Sequence, residues 1–490
     1  MKLIVSFVTC ILLLVLYVVP SHAIPAFTRA HKVECSTCHT IFPELNEYGE
    51  AFLKNSYVYF GKGKKKTTVS QKVTPDVVAK KPAAVPVGGA DVKGEGNADL
   101  LSKLKAGTMI AADAPAVATE AQAVEEGGNH PAVDSDAKPE GLVLSGVPEQ
   151  LPISLTASIH GTYDRNAVNE LDLSTRTVKL NAGGNFREKA AFFGTYVLYT
   201  ESPVPTNANT STVPTNLQGK NDIGEMFLVW RHALDTPLNI KVGRFQPKLG
   251  LWKSNNKLST TNSYATYSYL VGSSLFTLEQ PQDAVEANMI VANRLFVAGG
   301  AVTRKNQNTK EYYAHTSVKF GGADYLTNEP EIDLSKEESV FDFLTMTVGG
   351  YGYFGTNGDP NTVAGVTPRQ NDYYRAGMDI DLLYKQLRLK LSGVLGKDDN
   401  PDLTYLLPAE KSKVAVVEGQ YAIMQNLIGA LRFEYQDDGS KKVRRYIPTF
   451  AYSPIENIKV AAEYKYENGT TSANKGITNK VALLGVTFGF

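Results

Sequence analysis

The sequence predicts an all-β fold, a transmembrane antiparallel β-barrel of about 16 strands over residues 151–490. Three observations predict it. Apolar and polar residues alternate along segments of about ten residues, the length that a tilted membrane strand needs. Tyr and Phe lie near the ends of the apolar faces, as in the aromatic girdles of membrane barrels. The connections alternate between short and long, as turns and loops do in these barrels.

The alternation is clear in the segment PISLTASIHGTYD. Ile153 and Leu155 lie on one face of a strand there, and Ser154 and His160 lie on the other. Two architectures produce this pattern. A soluble sandwich turns its apolar face inward, whereas a membrane barrel turns it toward lipid and lines its interior with polar groups. The strand lengths, the aromatic positions and the connections together favour the barrel.

The connections follow the barrel rule with one exception. Short ones such as residues 187–189 and 292–294 alternate with long ones such as residues 201–222 and 247–281. Residues 321–340 fall where a short turn is expected, yet they are long and acidic. An even number of strands places both ends of the barrel on the periplasmic side.

The N-terminus has the form of a secretory signal peptide at residues 1–23. Lys2 precedes an apolar run, and Ser21 and Ala23 supply the small residues of a cleavage site. A retained membrane anchor is the alternative, because the apolar run approaches the length of a membrane span. Either form predicts an exported protein.

The composition gives no sign of a nucleic-acid partner and indicates how the chain is divided. The chain of 490 residues carries 50 basic and 50 acidic side chains, so no basic excess points to nucleic acid. Residues 61–150 contain no aromatic residue and are rich in Ala, Val, Pro, Gly, Lys and Glu. Such a composition buries too little apolar surface to offset the cost of ordering, so it predicts a low-complexity linker.

The chemistry of the chain is concentrated in residues 24–60. Cys35, Cys38 and His39 form a Cys-x-x-Cys-His motif, which in an exported protein predicts attachment of one covalent haem c. The two thiols bond the macrocycle to the chain, and His39 ligates the iron from the same turn. A segment this short needs a metal or another covalent constraint to fold, and the haem supplies one.

Two other interpretations of the motif compete with haem. A thioredoxin-like redox pair needs a βαβ context, which does not surround this site. A zinc site needs further Cys or His ligands at suitable spacing, and His31 alone is near.

The same region resembles a known family, the fused outer-membrane cytochrome–porin proteins, which join a monohaem cytochrome to a barrel in one chain. The shared residues are Pro25-Ala26-Phe27, Cys35-x-x-Cys38-His39, Pro43-x-Leu45-x-x-x-Gly49-x-x-Phe52 and Tyr57. The resemblance implies an electron conduit between extracellular iron or minerals and a periplasmic c-type cytochrome. Ferrous-iron oxidation or iron reduction would be its activity, since the direction of flow is not fixed. The long linker departs from the family pattern.

The second axial ligand of the iron stays open at this level. The candidates are His31, Met109, His130, His160 and His315, and a five-coordinate iron is a further alternative. The haem segment is expected either in the barrel lumen or in the periplasm on a flexible tether.

A different class of function also stays open. In that case the barrel is a diffusion or substrate-selective porin in the outer-membrane lipid, and the haem is structural or sensory.

Overall fold

The computed structural model describes part of the chain. The described residues are 33–57, 153–167, 170–186, 189–200, 222–252, 257–260, 264–269, 271, 278, 280–303, 310–328, 339–358, 370–401, 408–473 and 475–489. The chain divides into two compact units, residues 1–65 with 138–490 and residues 66–137. All described residues belong to the first unit. The predicted signal peptide (1–23) and linker (61–150) lie outside them.

The described residues contain sixteen strands that close into one antiparallel barrel. Each strand pairs with its neighbours in sequence, and β18 closes the barrel by pairing with β3, with Val486 opposite Ile159. The predicted fold class is therefore confirmed. The strands are β3 (Ile153–Asp164), β4 (Leu171–Phe186), β5 (Ala190–Thr200), β6 (Asp222–Trp230), β7 (Asn239–Phe245), β8 (Gln282–Val291), β9 (Leu295–Thr303), β10 (Lys310–Phe320), β11 (Leu344–Gly358), β12 (Gln370–Tyr384), β13 (Leu387–Asp398), β14 (Glu410–Met424), β15 (Leu427–Asp437), β16 (Lys441–Ile455), β17 (Ile458–Thr471) and β18 (Gly476–Gly489).

The barrel has a polar interior and an apolar exterior. In β13, Lys390 and Asp398 point inward and are each 1% exposed, whereas Leu387 and Leu395 point outward and are 46% and 58% exposed. Because successive side chains of a strand face opposite sides, this arrangement follows from the alternation in the sequence. It is the reverse of a soluble sandwich, which buries its apolar face.

The two ends of the barrel differ in their connections. At one end, here called the short-turn end, β12 joins β13 through residues 385–386 and β16 joins β17 through residues 456–457. The opposite, long-loop end carries connections such as residues 201–221 and 246–281. The predicted exception is also observed, since residues 321–343 form a long connection at the short-turn end.

The connection between β7 and β8 enters the barrel interior. Its described parts, residues 246–252, 257–260 and 264–269, are called the lumen loop, and they include the short helix α2 (Ala265–Ser268). The Leu251 amide donates to Asp379 Oδ2 at 2.9 Å, and the Tyr264 hydroxyl donates to Glu418 Oε1 at 2.9 Å. The lumen loop therefore fills space that would otherwise be open channel.

The N-terminal segment, residues 33–57, is a small compact piece. A 3-10 turn (Cys35–Thr37) leads into β1 (His39–Ile41), which pairs with β2 (Glu44–Leu45), and the helix α1 (Glu47–Lys54) follows. Within the described part of the chain, no helix is long and apolar enough to cross a membrane.

The three- and four-residue spacing of Leu45, Tyr48 and Phe52 predicts a helix from Phe42 to Tyr57 with Pro43 in its first turn. The structure corrects its start. Pro43 lies between β1 and β2, and the helix begins at Glu47, because Asn46 caps it. Asn is among the best residues at this position, since its side-chain oxygen satisfies free backbone N–H groups.

Candidate functional site

The three residues of the Cys-His motif lie in one tight turn. The Cys38 amide donates to the Cys35 carbonyl at 3.1 Å, which closes the turn, and His39 follows as the first residue of β1. Cys35 is buried and Cys38 is half-buried, and both thiols are free rather than joined in a disulfide. The turn therefore presents two uncommitted sulfur atoms and one imidazole from the same short piece of backbone.

Asn46 ties the motif to the helix. Its Oδ1 accepts from the amides of Tyr48 and Gly49 at 3.0 Å each, which caps α1. Its Nδ2 donates to the carbonyls of Ser36 and Thr37 at 3.0 and 3.1 Å. One side chain thus fixes the start of the helix and the position of the cysteine turn.

Gly49 lets the helix approach that turn closely. A Cβ at this position would lie 2.1 Å from the Cys38 carbonyl oxygen and 2.8 Å from Leu45 Cδ2. Both distances are far inside van der Waals contact, so any other residue forces α1 away from the motif. The requirement here is space, not backbone conformation.

Burial shifts the pKa values of the two thiols and the imidazole of the motif. Burial raises the pKa of Cys35 to about 12, and the nearby Glu456 carboxylate adds to the effect. Burial alone raises the pKa of Cys38 to about 11. Burial lowers the pKa of His39 to about 4, against a smaller opposing effect of the Glu44 and Pro43 backbone. The imidazole is therefore neutral near pH 7, which is the form that ligates metals.

The residues present fit a covalent haem c. The Nδ1 atom of His39 is buried and has no hydrogen-bond partner among the described residues. Two free thiols and a neutral imidazole in one turn are the donor set that this group requires. No group of three or more His, Cys, Asp or Glu side chains within the described ranges is arranged to hold a metal ion by itself.

A buried ion pair joins the N-terminal segment to the barrel wall. Glu44 is fully buried and bonds Lys390, while Gln420 Nε2 donates to Glu44 Oε1 at 2.9 Å. Arg388 lies 3.9 Å from the same oxygen. Burial raises the pKa of Glu44, but the positive charges of Lys390 and Arg388 outweigh it and hold the pKa below its usual value.

Helix α1 contacts a second part of the wall. Its Glu47 lies 3.5 Å from Lys319 Nζ, and the Lys54 ammonium lies 4.0 Å from the centre of the Tyr325 ring. Beyond the helix, Tyr57 stacks on Phe193 with ring centroids 5.4 Å apart. Together with Glu44, these contacts hold the segment across the interior near the short-turn end.

The candidates for the second axial ligand divide into two groups. His31, Met109 and His130 lie outside the described residues. His160 on β3 and His315 on β10 are buried and point into the barrel, as the alternation predicted. The structure joins Cys35, Cys38 and His39 in one turn, and the second ligand stays a prediction.

Comparison with known proteins gives distant likenesses in structure only. No protein-family model matches the chain, and no curated protein sequence matches it. The fold is similar to the outer-membrane protein OmpT of Vibrio cholerae (10% identity over 69% of this chain and 97% of that one, TM-score 0.44). It is similar to an anion-selective porin from Comamonas acidovorans (9% identity over 69% of this chain and 99% of that one, TM-score 0.46). It is also similar to the outer-membrane channel DcaP of Acinetobacter baumannii (12% identity over 69% of this chain and 96% of that one, TM-score 0.43).

Two residues that build this site, Glu44 and Asn46, were not predicted from the sequence, whereas Gly49 belongs to the pattern that carries the family resemblance. A local signal existed for one of them. Asn46 precedes Glu47 and Glu50, and a capping residue followed by acids in the first turn indicates the start of a helix. The partner of Glu44 is 346 residues away, so no local pattern reveals it.

Proposed function

We propose that this protein is an outer-membrane electron conduit. Cys35 and Cys38 hold one covalent haem c, His39 ligates its iron, and electrons pass between extracellular iron or minerals and a periplasmic c-type cytochrome. The barrel is the insulating sleeve around the path of the electrons through the lipid.

The exterior of the barrel supports a membrane location. Outward side chains along β13 and β14 are apolar and well exposed, among them Leu395 at 58%, Val417 at 41% and Tyr421 at 52%. Inward neighbours such as Glu418 are charged and only 2% exposed. An apolar band around a polar interior suits lipid outside and would be costly in water.

The observation that carries the conduit proposal is the contact between Glu44 and Lys390. It ties the segment with the Cys-His motif to the inside of the barrel rather than leaving it apart. A redox group on that segment would lie close to the interior of a membrane-spanning sleeve. The first barrel strand begins and the last barrel strand ends at the short-turn end of the barrel. We assign this end to the periplasm, because these barrels keep their short turns there.

The residues of the site have separate roles in this mechanism. When bound, haem c supplies one-electron ferrous–ferric chemistry whose potential depends on ligands and burial. Cys35 and Cys38 fix its position, and neutral His39 offers a nitrogen lone pair to the iron. Asn46 and Gly49 hold the turn against α1, so that the motif keeps one geometry. The buried segment and the lumen loop exclude bulk water from the path.

Electron transfer across a closed membrane tests the proposal. The purified protein is inserted in liposomes that contain a trapped ferric cytochrome, and a membrane-impermeant ferrous complex is added outside. We expect reduction of the trapped cytochrome with the native chain and none with the Cys35→Ala, Cys38→Ala and His39→Ala variants. If the native chain reduces nothing inside while its haem is intact, the conduit proposal fails.

Conductance separates the conduit from the porin alternative. A diffusion or substrate-selective porin with a structural or sensory haem would pass ions in planar bilayers, with or without Cys35 and Cys38. The lumen loop and residues 33–57 both occupy the interior, so we expect low conductance from the native chain. A large, steady conductance would favour the porin.

A further inference from the structure

Buried tyrosines bonded to buried carboxylates form an array inside the barrel. Five phenols of this array each donate a hydrogen bond to an inward Asp or Glu. The pairs are Tyr264–Glu418 at 2.9 Å, Tyr267–Asp379 at 2.7 Å, Tyr313–Glu286 at 2.7 Å, Tyr353–Glu311 at 2.5 Å and Tyr373–Glu311 at 2.5 Å. Hydrogen bonds to a charged acceptor are short and strong, which agrees with these distances.

Three of these rings form a stack on neighbouring strands. Tyr313 on β10 and Tyr353 on β11 lie with ring centroids 6.3 Å apart and planes 10° apart. Tyr353 and Tyr373 on β12 are 6.2 Å and 19° apart. Glu311 accepts from both Tyr353 and Tyr373, so one carboxylate serves two rings. This stack lies toward the long-loop end of the barrel.

The array continues toward the N-terminal segment through the lumen loop. Tyr351, two residues before Tyr353, lies 6.4 Å from Tyr267 by ring centroids. Trp252 and Tyr264 lie 5.5 Å apart. These separations are those of aromatic pairs in packed contact.

The part of the array nearer the short-turn end contacts the residues that hold the Cys-His segment. Lys390 Nζ donates to the Tyr264 hydroxyl at 3.2 Å and lies 5.6 Å from the centre of the Trp252 ring. The same Lys390 is the ion-pair partner of Glu44. The array and the segment therefore share a residue at their boundary.

The array covers much of the height of the barrel. Tyr373 pairs with Asp398 across β12 and β13, and Lys390 lies eight residues from Asp398 on the same strand. Eight residues of a tilted strand rise about 20 Å along the barrel axis. The hydrocarbon core is about 30 Å thick, so a single haem at one end leaves most of that distance to be crossed.

Solute binding does not explain these rings. A sugar or an aromatic solute stacks on ring faces that line an open channel. Here Tyr353 is 0% exposed, Tyr264 is 1% exposed and Tyr267 is 2% exposed, so their faces are already covered by protein. Packing alone would not require a carboxylate at five of these phenols, because burying a charged group is costly.

We propose that this array, from Trp252 and Tyr264 to Tyr353 and Tyr373, is a redox-active relay that carries electrons through the barrel interior. This inference rests on the proposed function for its direction and use. A metal-centred one-electron oxidant at one end takes an electron from a ring, and the phenolic proton moves to the bonded carboxylate. At Tyr353, the phenol and the Glu311 carboxylate become a neutral tyrosyl radical and a carboxylic acid.

The cycle closes when an electron returns to the oxidised ring. A metal-ion reductant such as ferrous iron at the other end supplies one electron, and Glu311 returns the proton to the phenol. One electron has then crossed, the reductant is oxidised, the oxidant is reduced, and no proton is consumed. The radical is higher in energy than either end, and the carboxylate lowers that energy because it removes the positive charge that the ring would otherwise carry.

Flash-quench photochemistry tests the relay without depending on the haem. The full-length ferric protein in liposomes is mixed with an impermeant ruthenium polypyridyl complex and a sacrificial electron acceptor. After the flash, the acceptor takes one electron from the excited complex, and the resulting Ru(III) form is the oxidant. Tyrosyl radical is read by its EPR signal and by transient absorption. The variants are Glu311→Gln and the double change Tyr353→Phe with Tyr373→Phe, which keep the ring stack. Tyr312→Phe is the matched control, since Tyr312 lies on the outer face of the same strand and is 57% exposed.

We expect a radical signal in the native chain and in the Tyr312 control. Loss of a hydrogen bond to a charged acceptor should lower the radical yield of Glu311→Gln by about tenfold. The double Phe variant should lose the part of the signal that comes from Tyr353 and Tyr373. Equal radical yields in all four proteins, with the barrel folded in each, would overturn the relay. Because the oxidant is added, this result is independent of whether the liposome assay supports the conduit.

Discussion

Glu44 and Lys390 form a fully buried ion pair between the N-terminal segment and the barrel wall. The two residues are 346 positions apart in sequence, so the pair joins the beginning of the described chain to its closed barrel. Each carries a charge that the other compensates in an interior with little water. This pair is the point at which the predicted redox segment and the barrel become one structure.

Removing the charge of Glu44 should release the N-terminal segment. In Glu44→Gln the Lys390 ammonium stays buried with no carboxylate partner, which costs about 3–5 kcal/mol of docking free energy. Cleavage of residues 33–57 by an added protease should become much faster, while the folded barrel stays resistant. The measurement is mass spectrometry of the cleavage products against time.

Two further proteins make that test specific. Glu34→Gln changes an exposed acid of the same segment and should leave cleavage as in the native chain. Replacing both Glu44 and Lys390 by Met should be milder than Glu44→Gln, because no charge is left unpaired. Equal cleavage rates for Glu44→Gln and the native chain would show that the ion pair does not hold the segment.

Gly49→Ala should reduce haem attachment. The added methyl group would overlap the Cys38 carbonyl oxygen, so α1 must move away and the turn of the Cys-His motif loses its support. We expect a several-fold lower haem content per folded barrel, measured by the absorbance of the pyridine haemochrome. Gly419→Ala on β14 is the control, since a Cβ there meets nothing within 4 Å. A haem content in Gly49→Ala equal to that of the native chain would contradict this prediction.

Asn46 variants should separate two roles of one side chain. Asn46→Asp keeps the oxygen that caps α1 but loses the donors to Ser36 and Thr37, whereas Asn46→Ala loses both. Loss of the cap alone costs about 1 kcal/mol. We expect Asp to preserve helix stability and yet loosen the cysteine turn, seen as faster hydrogen exchange of the Cys38 amide than of the α1 amides. Identical exchange in the two variants would argue against separate roles.

Val417→Arg should destabilise the barrel strongly. Val417 lies at the middle of β14, faces outward and is 41% exposed. A charge facing the lipid midplane costs about 2–4 kcal/mol, whereas on a water-facing surface it would cost almost nothing. The measurement is urea unfolding in lipid vesicles, with Val417→Leu as the control. A stability equal to that of the control would mean that this face does not meet lipid.

The fold was largely readable from local patterns. The alternation in segments such as β3 and the alternating connections predict a barrel of about 16 strands, and the acidic exception at residues 321–340 is visible as well. These features are local, because the two-residue period of a strand shows in any ten residues. The start of α1 was misjudged at Pro43, since the hairpin of β1 and β2 overrides the local helical spacing.

The sequence by itself predicted the chemistry of the Cys-His motif, because covalent haem attachment would need only Cys35, Cys38 and His39 at fixed spacing. The tertiary structure decided what surrounds that chemistry. Barrel closure brings Lys390 to Glu44 and aligns Tyr353 with Tyr373 beside Glu311. Such partners depend on strand register and on the path of the lumen loop, which are set by packing over hundreds of residues. No local pattern carries that information, so the array of tyrosines became visible only in the folded barrel.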